Sequence, residues 1–432
     1  MKALVIGAAR SGIGAANLLL KNGYEVTLVS RDDFVERETL EKKGIKVILN
    51  DHYHEAYDAM DLVVKNPGIS NDHPLVSKMK NIMTEIDIAA RFNPHGKYYA
   101  ISGTNGKTNT TELLYKMLET LDEKALLAGN IGIALSQKIY EIGDVKQNVA
   151  LELSSFQMEH LPTFSPEVYA LMNLTPDHLD RYVDEDEYYK VKTKLGLKAK
   201  VFIRNADDKN IMRLTNNFKG EIYDLSLNSK KDIYIEDDKA YFRDAFLFDV
   251  QDVHLKAKHN LYNALFASSM AHLAGVTQSD IQRVLNTFTG VKHRLEFIVE
   301  KEGVLYYNDS KATNPEATEK ALQAFDAPII LLAGGKDEKN PFEVLSQYED
   351  KCKSVFLFGE TKHQLKEICK KGILVDDLES AFKEAQKIAT EGDVILLSPA
   401  CASYDQFKNF EVRGDLFRKL SLGQILKVTS VN

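Results

Sequence analysis

The chain has no tryptophan, only three cysteines and ten prolines among its 432 residues, and no long run of apolar residues. The three cysteines form an odd set without metal-ligand spacing, which argues against a disulfide framework or a zinc site and favours the cytoplasm. A membrane span needs about 20 consecutive apolar residues, and no segment approaches that length. The net charge of −8 argues against broad nucleic-acid binding but allows a local basic pocket. We therefore expect a soluble cytoplasmic protein, and we predict a monomer.

The length exceeds the roughly 250–300 residues at which single cores stop growing, so more than one domain is expected. Short apolar strands alternate with helical patterns along the chain, which predicts an α/β fold. Breaks on Pro and Gly divide it into three predicted domains. These are a Rossmann-like N-terminal domain (1–93), a central P-loop ATPase-like α/β domain (94–290) and a Rossmann-like C-terminal domain (291–432). The alternating stretch 232–242 predicts a small β hairpin added to the central domain.

A glycine-rich turn after residue 101 is the most informative segment. It reads Gly-Thr-Asn-Gly-Lys-Thr from Gly103 to Thr108, between a predicted strand (98–101) and a predicted helix (110–118). Glycines let the backbone approach an anion, the helix N-terminus attracts it, Lys107 adds a charge and Thr108 can hold Mg²⁺. Only two residues separate Gly103 from Gly106, where the general P-loop has four. The alternative is an ordinary strand-to-helix turn.

The N-terminal segment suggests a second anion site. A strand (3–6) runs into Gly7-Ala-Ala-Arg-Ser-Gly-Ile-Gly14 and an apolar helix, but the turn lacks the G-x-G-x-x-G pattern of dinucleotide-binding proteins. A diphosphate could still lie on this helix N-terminus, near Arg10 and Ser11. The loop that contains Gly68 follows another strand (62–65), where open α/β sheets bind ligands, although a plain Pro-Gly turn is equally economical.

Acidic residues follow the next strands. Glu152 lies within the apolar run 149–153, where a carboxylate is costly unless it meets a cation. Mg²⁺ held by Thr108 and a nucleotide phosphate would satisfy it, and a buried lysine partner is the alternative. Asp177, His178 and Asp180 follow the strand after that, and His178 is a candidate ligand of a second metal ion.

Several motifs, taken in order, resemble those of the Mur ligase superfamily. They are GTNGKT (103–108), ELSSFQ (152–157), DHLDR (177–181), HNLYN (259–263), HR (293–294) and NDSKATN (308–314). The last of these, together with SPACASYDQF (398–407), is similar to the D-glutamate-adding branch. The resemblance covers all three predicted domains. It implies an ATP-dependent ligase that joins D-glutamate to UDP-N-acetylmuramoyl-L-alanine through an acyl phosphate, with two Mg²⁺ ions.

The resemblance also implies roles for individual residues. The implied catalytic residues are Lys107, Lys192, His178 and Arg294. ATP would be bound by Gly103, Thr104, Asn105, Gly106, Lys107, Thr108, Asn109, Asn263, Arg294 and Asp309. The metal ions would be held by Thr108, Glu152, His178 and Lys192. The UDP-sugar would contact Arg10, Ser11, Gly68 and Asn130, and D-glutamate would contact Lys311, Thr313, Ser403, Tyr404 and Phe410.

Lys192 falls where family members carry a carbamylated lysine. The alternative is a solvated cation, because Lys190, Lys194 and Lys198 lie close by on the predicted helix 187–198. A basic residue near the glycine pair at 334–335 is also expected in the site, and either Lys336 or Lys339 could supply it.

Three competing functions remain. A folate polyglutamate-type ligase of the same superfamily would lack a front UDP-binding domain, which residues 1–93 provide. A nicotinamide-dependent dehydrogenase would leave the phosphate loop unexplained. A non-enzymatic nucleotide switch would leave Glu152, His178 and Lys192 without a role.

Overall fold

The computed structural model describes residues 1–121, 124–177, 181–253, 258–288, 290–337 and 342–423. The chain divides into two compact units, Met1–Phe288 and Thr289–Asn432. Among the described residues, no helix has both the length and the apolar character that crossing a membrane requires.

The first sheet belongs to the N-terminal part of the first unit and is parallel throughout. Its strands are β1 (Lys2–Ile6), β2 (Glu25–Val29), β3 (Lys46–Ile48), β4 (Leu62–Lys65) and β5 (Ile82–Met83), and the helices between and after them are α1 (Arg10–Lys21), α2 (Arg37–Lys42) and α3 (Glu85–Arg91). The strand order β3-β2-β1-β4-β5 is that of a Rossmann-like sheet. Apolar residues of β1 and β2 are buried because helices cover the sheet faces.

The second sheet has nine strands. They are β6 (Gly96–Ser102), β7 (Ala125–Gly129), β8 (Gln147–Glu152), β9 (Val168–Leu171), β10 (Val201–Asn205), β11 (Glu221–Leu225), β12 (Ile233–Glu236), β13 (Lys239–Phe242) and β14 (Ala245–Asp249). The order is β14-β13-β12-β11-β10-β9-β6-β8-β7. All neighbouring strands from β6 to β12, and likewise β6 with β8 and β8 with β7, pair in parallel. The pairs β12–β13 and β13–β14 are antiparallel. The parallel strands place their carboxyl ends on one edge, beside the phosphate loop.

Seven helices accompany this sheet in the described residues. They are α4 (Lys107–Leu118), α5 (Leu135–Ile142), α6 (Ser155–Met158), α7 (Glu185–Thr193), α8 (Lys209–Thr215), α9 (Lys258–Ala274) and α10 (Gln278–Thr287). The start of α7 is set by Asp184, whose side chain accepts a hydrogen bond from the backbone N–H of Glu187. A short 3₁₀ helix, Lys194–Leu197, follows α7 directly.

The second unit contains a six-stranded sheet. Its strands are β15 (Glu296–Lys301), β16 (Val304–Asn308), β17 (Ile329–Gly334), β18 (Cys352–Phe358), β19 (Gly372–Leu374) and β20 (Val394–Leu397), and its helices are α11 (Pro315–Gln323), α12 (Lys362–Ile368), α13 (Leu378–Ile388) and α14 (Phe410–Leu422). The order is β15-β16-β20-β17-β18-β19, with only the β15–β16 pair antiparallel. Asn314 caps α11, and Pro315 occupies its first turn.

The α/β prediction is confirmed by these parallel-rich sheets. The added hairpin is present as β12 and β13, and β14 extends it to three strands. The predicted helical stretch 187–198 is present in two parts, because α7 ends at Thr193 and the 3₁₀ helix Lys194–Leu197 follows it. Gly196 lies in the 3₁₀ turn that follows, where an added Cβ would come within 2.8 Å of the Phe202 ring. That close approach to β10 fixes the turn.

Candidate active site

The phosphate loop joins β6 to α4 and has the predicted strand–turn–helix form. Gly106 immediately precedes the helix with φ +82°, a left-handed conformation that favours glycine. A Cβ at this position would lie 2.7 Å from Oδ1 of Asn263 and 2.9 Å from Cε of Met172. The backbone N–H groups of the first helical turn are therefore presented to an anion without a side chain in the way.

A second loop holds the phosphate loop in place. Asn173, just after β9, accepts a hydrogen bond from the backbone N–H of Asn105 at its Oδ1 (2.8 Å) and donates one from Nδ2 to the Asn105 carbonyl (3.0 Å). The backbone N–H of Thr104 donates to the Asn173 carbonyl (3.0 Å), and the Thr104 hydroxyl donates to the carbonyl of Thr175 (3.1 Å). These bonds fix the orientation of the turn.

Lys107 and Thr108 occupy the first turn of α4. The Lys107 ammonium donates to the carbonyls of Gly103 (2.8 Å) and Thr104 (2.7 Å), so its charge lies directly over the loop. Thr108 is buried. The placement matches the chemistry expected of a phosphate-binding lysine and a neighbouring hydroxyl.

Glu152 ends β8 opposite Ile101 of β6 and has no solvent exposure. Its Oε1 accepts a hydrogen bond from Nδ2 of Asn130 (2.6 Å), while its Oε2 is buried without a hydrogen-bond partner among the described residues. The hydrogen-bond partner is therefore an amide and not a lysine among the described residues, although the charge of Glu152 raises the pKa of the buried Lys192 against the larger effect of burial. A half-satisfied buried carboxylate is costly, and a cation would relieve that cost.

The loop that carries Asn130 is held tightly against the end of β8. The backbone N–H of Asn130 donates to the Glu152 carbonyl (2.9 Å). Gly129 approaches the same carbonyl so closely that an added Cβ would lie 2.2 Å from it. The close approach fixes the Asn130 amide at the Glu152 carboxylate.

Lys192 is fully buried on α7, and its amine contacts the phosphate loop. Nζ donates to the carbonyl of Gly103 (2.9 Å) and to the Ser102 hydroxyl (3.3 Å), and it lies 5.0 Å from the centre of the Tyr188 ring. Burial, reinforced by the neighbouring charge of Lys107, holds the pKa of Lys192 well below its ordinary value.

The other lysines of this stretch behave differently. Lys190, Lys194 and Lys198 are exposed. The alternative of a solvated cation is therefore wrong for Lys192, which is 1% exposed. Of the other three, Lys198 donates from Nζ to the carbonyls of Leu161 and Pro162. Among these four lysines, only Lys192 has the burial that favours the neutral amine.

His178 and Asp180 lie outside the described residues, so their predicted positions at the metal site stay predictions. Asp177 is described, and its charge raises the pKa of Lys192 against the larger effect of burial. Within the described part of the chain, no group of three or more His, Cys, Asp or Glu side chains forms a metal-binding cluster.

A pocket adjoins α4 next to the phosphate loop. Its lining combines apolar side chains with three amides: Asn109, Leu113, Val253, Asn260, Asn263, Ala264, Leu285 and Phe288. The Oδ1 atom of Asn109 is buried and has no hydrogen-bond partner among the described residues. Asn263 accepts a hydrogen bond at Oδ1 from the Thr110 hydroxyl (3.1 Å). Apolar walls and an unsatisfied amide acceptor are chemically suited to a heterocycle that carries an amino group, but the cavity of ≈ 20 Å³ is too small to enclose one.

Three of the four residues predicted to contact a UDP-sugar follow β1 and β4, and the fourth, Asn130, follows β7. Arg10 and Ser11 form the first turn of α1, and Arg10 donates from Nη1 to the carbonyl of Gly132 (2.9 Å), two residues after Asn130. Gly68 lies in the turn after β4. The first unit thus links the start of α1 to the loop that orients Glu152.

A buried ionic cluster, absent from the sequence-based site, lies beside this turn. Glu159 accepts hydrogen bonds from Nζ of Lys65 (2.8 Å) and from Nη2 of Arg181 (2.8 Å), and Arg181 packs over the Phe156 ring at 4.0 Å. Lys65 is fully buried at the end of β4. A charged residue that ends an apolar strand was the available sequence signal, as it was for Glu152.

The second unit has its own polar centre. Asp309 follows β16 and accepts hydrogen bonds from the backbone N–H of Leu295 (3.0 Å) and the Ser398 hydroxyl (2.8 Å). Burial raises the pKa of Asp309 to about 7. Lys311 is exposed two residues further on, and its backbone N–H donates to the carbonyl of His293 (2.9 Å). Arg294 directly follows His293, and its charge opposes the raised pKa of Asp309.

The predicted D-glutamate residues differ in exposure. Ser403 is buried and Thr313 half-buried, whereas Tyr404 is 65% exposed. Phe410 starts α14 and packs edge-on against the His293 ring, with centroids 6.1 Å apart. Because its ring is exposed, Tyr404 has the weakest structural support of these four residues for a role in binding D-glutamate.

A buried arginine connects the loop after β16, which contains Ser310, to the loop after β20, which contains Cys401. Arg413 donates to the Ser310 hydroxyl (3.0 Å) and carbonyl (2.8 Å) and to the carbonyl of Cys401 (3.0 Å). Sequence reasoning did not single it out.

The backbone N–H of Lys336 donates to the carbonyl of Ala402 (2.9 Å), and Lys339 lies outside the described residues, so the choice between these two lysines stays a prediction.

Comparison with known protein families gives two matches along the chain. Residues 101–271 match the Mur ligase middle domain, and residues 293–401 match the Mur ligase, glutamate ligase domain. A Bacillus subtilis (strain 168) protein named UDP-N-acetylmuramoylalanine--D-glutamate ligase is 39% identical, with 96% of each chain covered. A protein of the same name from Listeria monocytogenes serovar 1/2a is 37% identical, over 99% of this chain and 97% of that protein.

Among solved structures, the MurF ligase from Thermotoga maritima in complex with ADP has the same fold, with a TM-score of 0.54. It is 18% identical, with 92% of this chain and 93% of that chain covered.

Proposed function

Since the chain belongs to the Mur ligase family, we propose that it is an ATP-dependent ligase that adds D-glutamate to UDP-N-acetylmuramoyl-L-alanine. The products are the extended precursor, ADP and phosphate, in the synthesis of peptidoglycan precursors. Full-length similarity to ligases of that name supports the reaction. One structural observation supports the reaction most directly. Two buried ionisable groups lie beside the phosphate loop, the Glu152 carboxylate, which has one oxygen without a hydrogen-bond partner among the described residues, and the Lys192 amine.

The first unit supplies the ATP site. The backbone N–H groups from Gly103 to Thr108 cradle the phosphates, and Lys107 neutralises the phosphoryl group that is transferred. The resemblance assigns Asn109 and Asn263 to ATP, and both residues line the small pocket beside α4. The resemblance assigns Arg294 and Asp309 of the second unit to the phosphates and the ribose.

The residues present fit Mg²⁺, because the Oε2 of Glu152 is a buried oxygen ligand without a hydrogen-bond partner among the described residues. Glu152 and the Thr108 hydroxyl would hold the first ion, and His178 remains the proposed ligand of the second. When bound, Mg²⁺ supplies positive charge that neutralises the phosphate oxygens. Asn130 orients the Glu152 carboxylate by holding its other oxygen.

The chemistry activates a carboxylate that does not condense with an amine unaided. The L-alanine carboxylate attacks the terminal phosphorus of ATP, which forms an acyl phosphate and releases ADP. The D-glutamate amine then attacks the acyl carbon, phosphate leaves, and the amine loses a proton. Lys107 and Arg294 contribute by positioning and charge neutralisation, so no protein nucleophile is needed.

Substrate contacts follow from the family resemblance. The UDP-sugar uses the N-terminus of α1 with Arg10 and Ser11, the turn at Gly68, and Asn130. D-Glutamate is gripped in the second unit, with Lys311 pairing a carboxylate and Ser403 donating a hydrogen bond. Thr313, Tyr404 and Phe410 complete this proposed pocket.

Lys192 is proposed to be carbamylated. The neutral amine adds to the carbon of CO₂ and the nitrogen loses a proton, so that an N–C bond forms and a carboxylate replaces the amine. Its depressed pKa favours the reactive neutral amine. The nearby ammonium of Lys107 and Mg²⁺ would stabilise the resulting anion. An anion at this position explains why a lysine occupies a site that attracts cations.

Two measurements test the carbamate. Lys192→Ala should be nearly inactive and partly restored by acetate, whereas Lys190→Ala and Lys194→Ala should stay active. Protein equilibrated with ¹³CO₂ should give a carbamate carbon resonance that disappears in Lys192→Ala. Wild-type turnover by Lys192→Ala, or the absence of that resonance, would contradict the proposal.

We further propose that the protein works as a cytoplasmic monomer. Its substrates are small molecules, with neither nucleic acid nor membrane involved. The Rossmann-like first sheet disfavours the folate-type ligase that lacks such a domain, and the buried Glu152 and Lys192 would be idle in a nucleotide switch. Relatives that share the name over almost the full length disfavour the dehydrogenase.

The deciding experiment measures ADP release with UDP-N-acetylmuramoyl-L-alanine and a panel of amino acids. ADP should form with D-glutamate and should not form with L-glutamate or L-lysine. ADP release that needs a folate substrate, or that is indifferent to the UDP-sugar, would contradict the proposed function.

A further inference from the structure

A buried ionic cluster of Lys65, Glu159 and Arg181 connects the two sheets of the first unit. Lys65 ends β4 in the first sheet, whereas Glu159 directly follows α6 and Arg181 precedes α7 in the part of the chain that forms the second sheet. Their side chains are 0%, 4% and 9% exposed, respectively. Burying three charges costs free energy, so such a cluster calls for an explanation beyond stability.

Both cations also bind the backbone of one turn. Lys65 donates from Nζ to the carbonyl of Ile69 (2.7 Å). Arg181 donates from Nη2 to the same carbonyl (3.0 Å) and from Nη1 to the carbonyl of Gly68 (3.3 Å). The turn is therefore held from its own strand and from the neighbouring sheet at once.

Glu159 fixes the two cations relative to each other. Its Oε2 accepts from Lys65 and Arg181, both at 2.8 Å, and its Oε1 accepts from Nε of Arg181 (3.0 Å) and the Tyr182 hydroxyl (3.1 Å). His160 lies next to it, and its pKa is lowered by burial and by the charge of Lys65. The three side chains of the cluster carry a net positive charge, with every oxygen of Glu159 occupied.

We propose that the Lys65–Glu159–Arg181 cluster is a positioning device that holds the Gly68–Ile69 turn in the conformation that binds the UDP-sugar. The inference rests on the proposed function, which assigns Gly68 to that substrate. The cluster acts through the turn and touches no reacting atom, so it governs affinity for one substrate and leaves the chemical step unchanged.

Lys65→Met is the informative variant. It keeps the length of the side chain and removes one anchor of the turn, while Glu159 stays paired with Arg181 and Tyr182. The KM for UDP-N-acetylmuramoyl-L-alanine should rise about tenfold, the effect of one lost charge-assisted hydrogen bond. The KM values for ATP and D-glutamate and the kcat should stay within about twofold of wild type.

Asp224→Asn provides the matched control, because Asp224 of β11 accepts a hydrogen bond from Arg204 of β10 (2.7 Å) in another partly buried ion pair. This variant should leave all three KM values unchanged. Isothermal titration calorimetry of UDP-N-acetylmuramoyl-L-alanine gives a second readout, and the affinity should fall by the same factor in Lys65→Met without any need for turnover.

Three results would overturn the proposal. One is an unchanged affinity of Lys65→Met for the UDP-sugar while the wild type binds it, which leaves the proposed function intact. Another is an equal loss in all KM values and in kcat together with a lower Tm, which indicates a merely structural role. If the wild-type protein itself does not bind the UDP-sugar, the proposal and the proposed function fail together.

Discussion

Replacing Lys192 with methionine should make the protein more stable toward acid while it removes activity. In CO₂-free buffer the wild-type protein buries an amine whose pKa lies well below 10.5, chiefly because of burial and then because of Lys107. The unfolded chain keeps an ordinary lysine, which holds its proton. Between the two pKa values the unfolded state therefore binds more protons than the folded state, and wild-type stability rises with pH.

The magnitude follows from this linkage. Methionine does not titrate, so the free energy of unfolding of Lys192→Met should gain on wild type by about 1.4 kcal/mol for each pH unit as the pH falls. The gain applies at any pH that lies between the two pKa values. The lost hydrogen bonds to Gly103 and Ser102 cost about 1 kcal/mol each, but that cost does not depend on pH. The test is therefore how the stability difference between variant and wild type changes with pH, and not its size at a single pH.

Urea unfolding followed by circular dichroism at several pH values measures the slope. Lys194→Met is the matched control, because Lys194 is exposed in the 3₁₀ turn that follows α7. Its stability difference from wild type should be flat with pH. A flat difference for Lys192→Met would refute the reasoning, since it would mean that Lys192 holds its proton as readily in the folded state as in the unfolded state.

Three further predictions concern the two units separately. Lys107→Ala should lower kcat by about 10²-fold or more without unfolding the protein, because it removes a positive charge from the transferred phosphoryl group. Lys116→Ala, on the exposed face of α4, should leave kcat unchanged. Full ADP release by Lys107→Ala would show that this loop does not bind the ATP phosphates. Lys311→Ala should raise the KM for D-glutamate and leave that for ATP unchanged, and an unchanged KM for D-glutamate would exclude this pocket. Asp309 has a pKa raised to about 7, so the folded state binds more protons than the unfolded state and stability should fall as the pH rises from about 4 to about 7. Asp309→Asn should remove up to about 4 kcal/mol of that loss, and identical pH profiles of urea unfolding for variant and wild type would contradict it.

Local patterns predicted the parts of the site that lie close together in sequence. The phosphate loop needed only a strand, two glycines and a helix within one short segment, and the structure has them there. Glu152 was detectable because a carboxylate in an apolar run violates the pattern of its own strand. Lys192 could be placed by resemblance, but its burial could not be predicted among neighbouring lysines.

Long-range contacts were beyond the sequence. Lys65 and Glu159 are separated by 94 positions, and only the packing of two sheets brings them together. Asn130 could be named as a substrate contact, but its bond to the Glu152 carboxylate depends on the pairing of β7 with β8. Short edge strands such as β3 and β19 carry too few apolar residues to stand out. The order of the strands likewise depends on packing across the whole sheet.

The scarcity of cysteine gives this protein a built-in reporter. All three thiols belong to the second unit, and all are buried, with pKa values raised by burial to about 12 for Cys352 and about 11 for Cys369 and Cys401. A thiol reagent that needs the thiolate will therefore label the native protein only when this unit opens. Cys401 lies two residues from Ser403, so occupancy of the proposed D-glutamate pocket should slow its labelling. Without any mutation, the rate of thiol labelling reports how often the second unit opens, because the first unit contains no cysteine for the reagent to label.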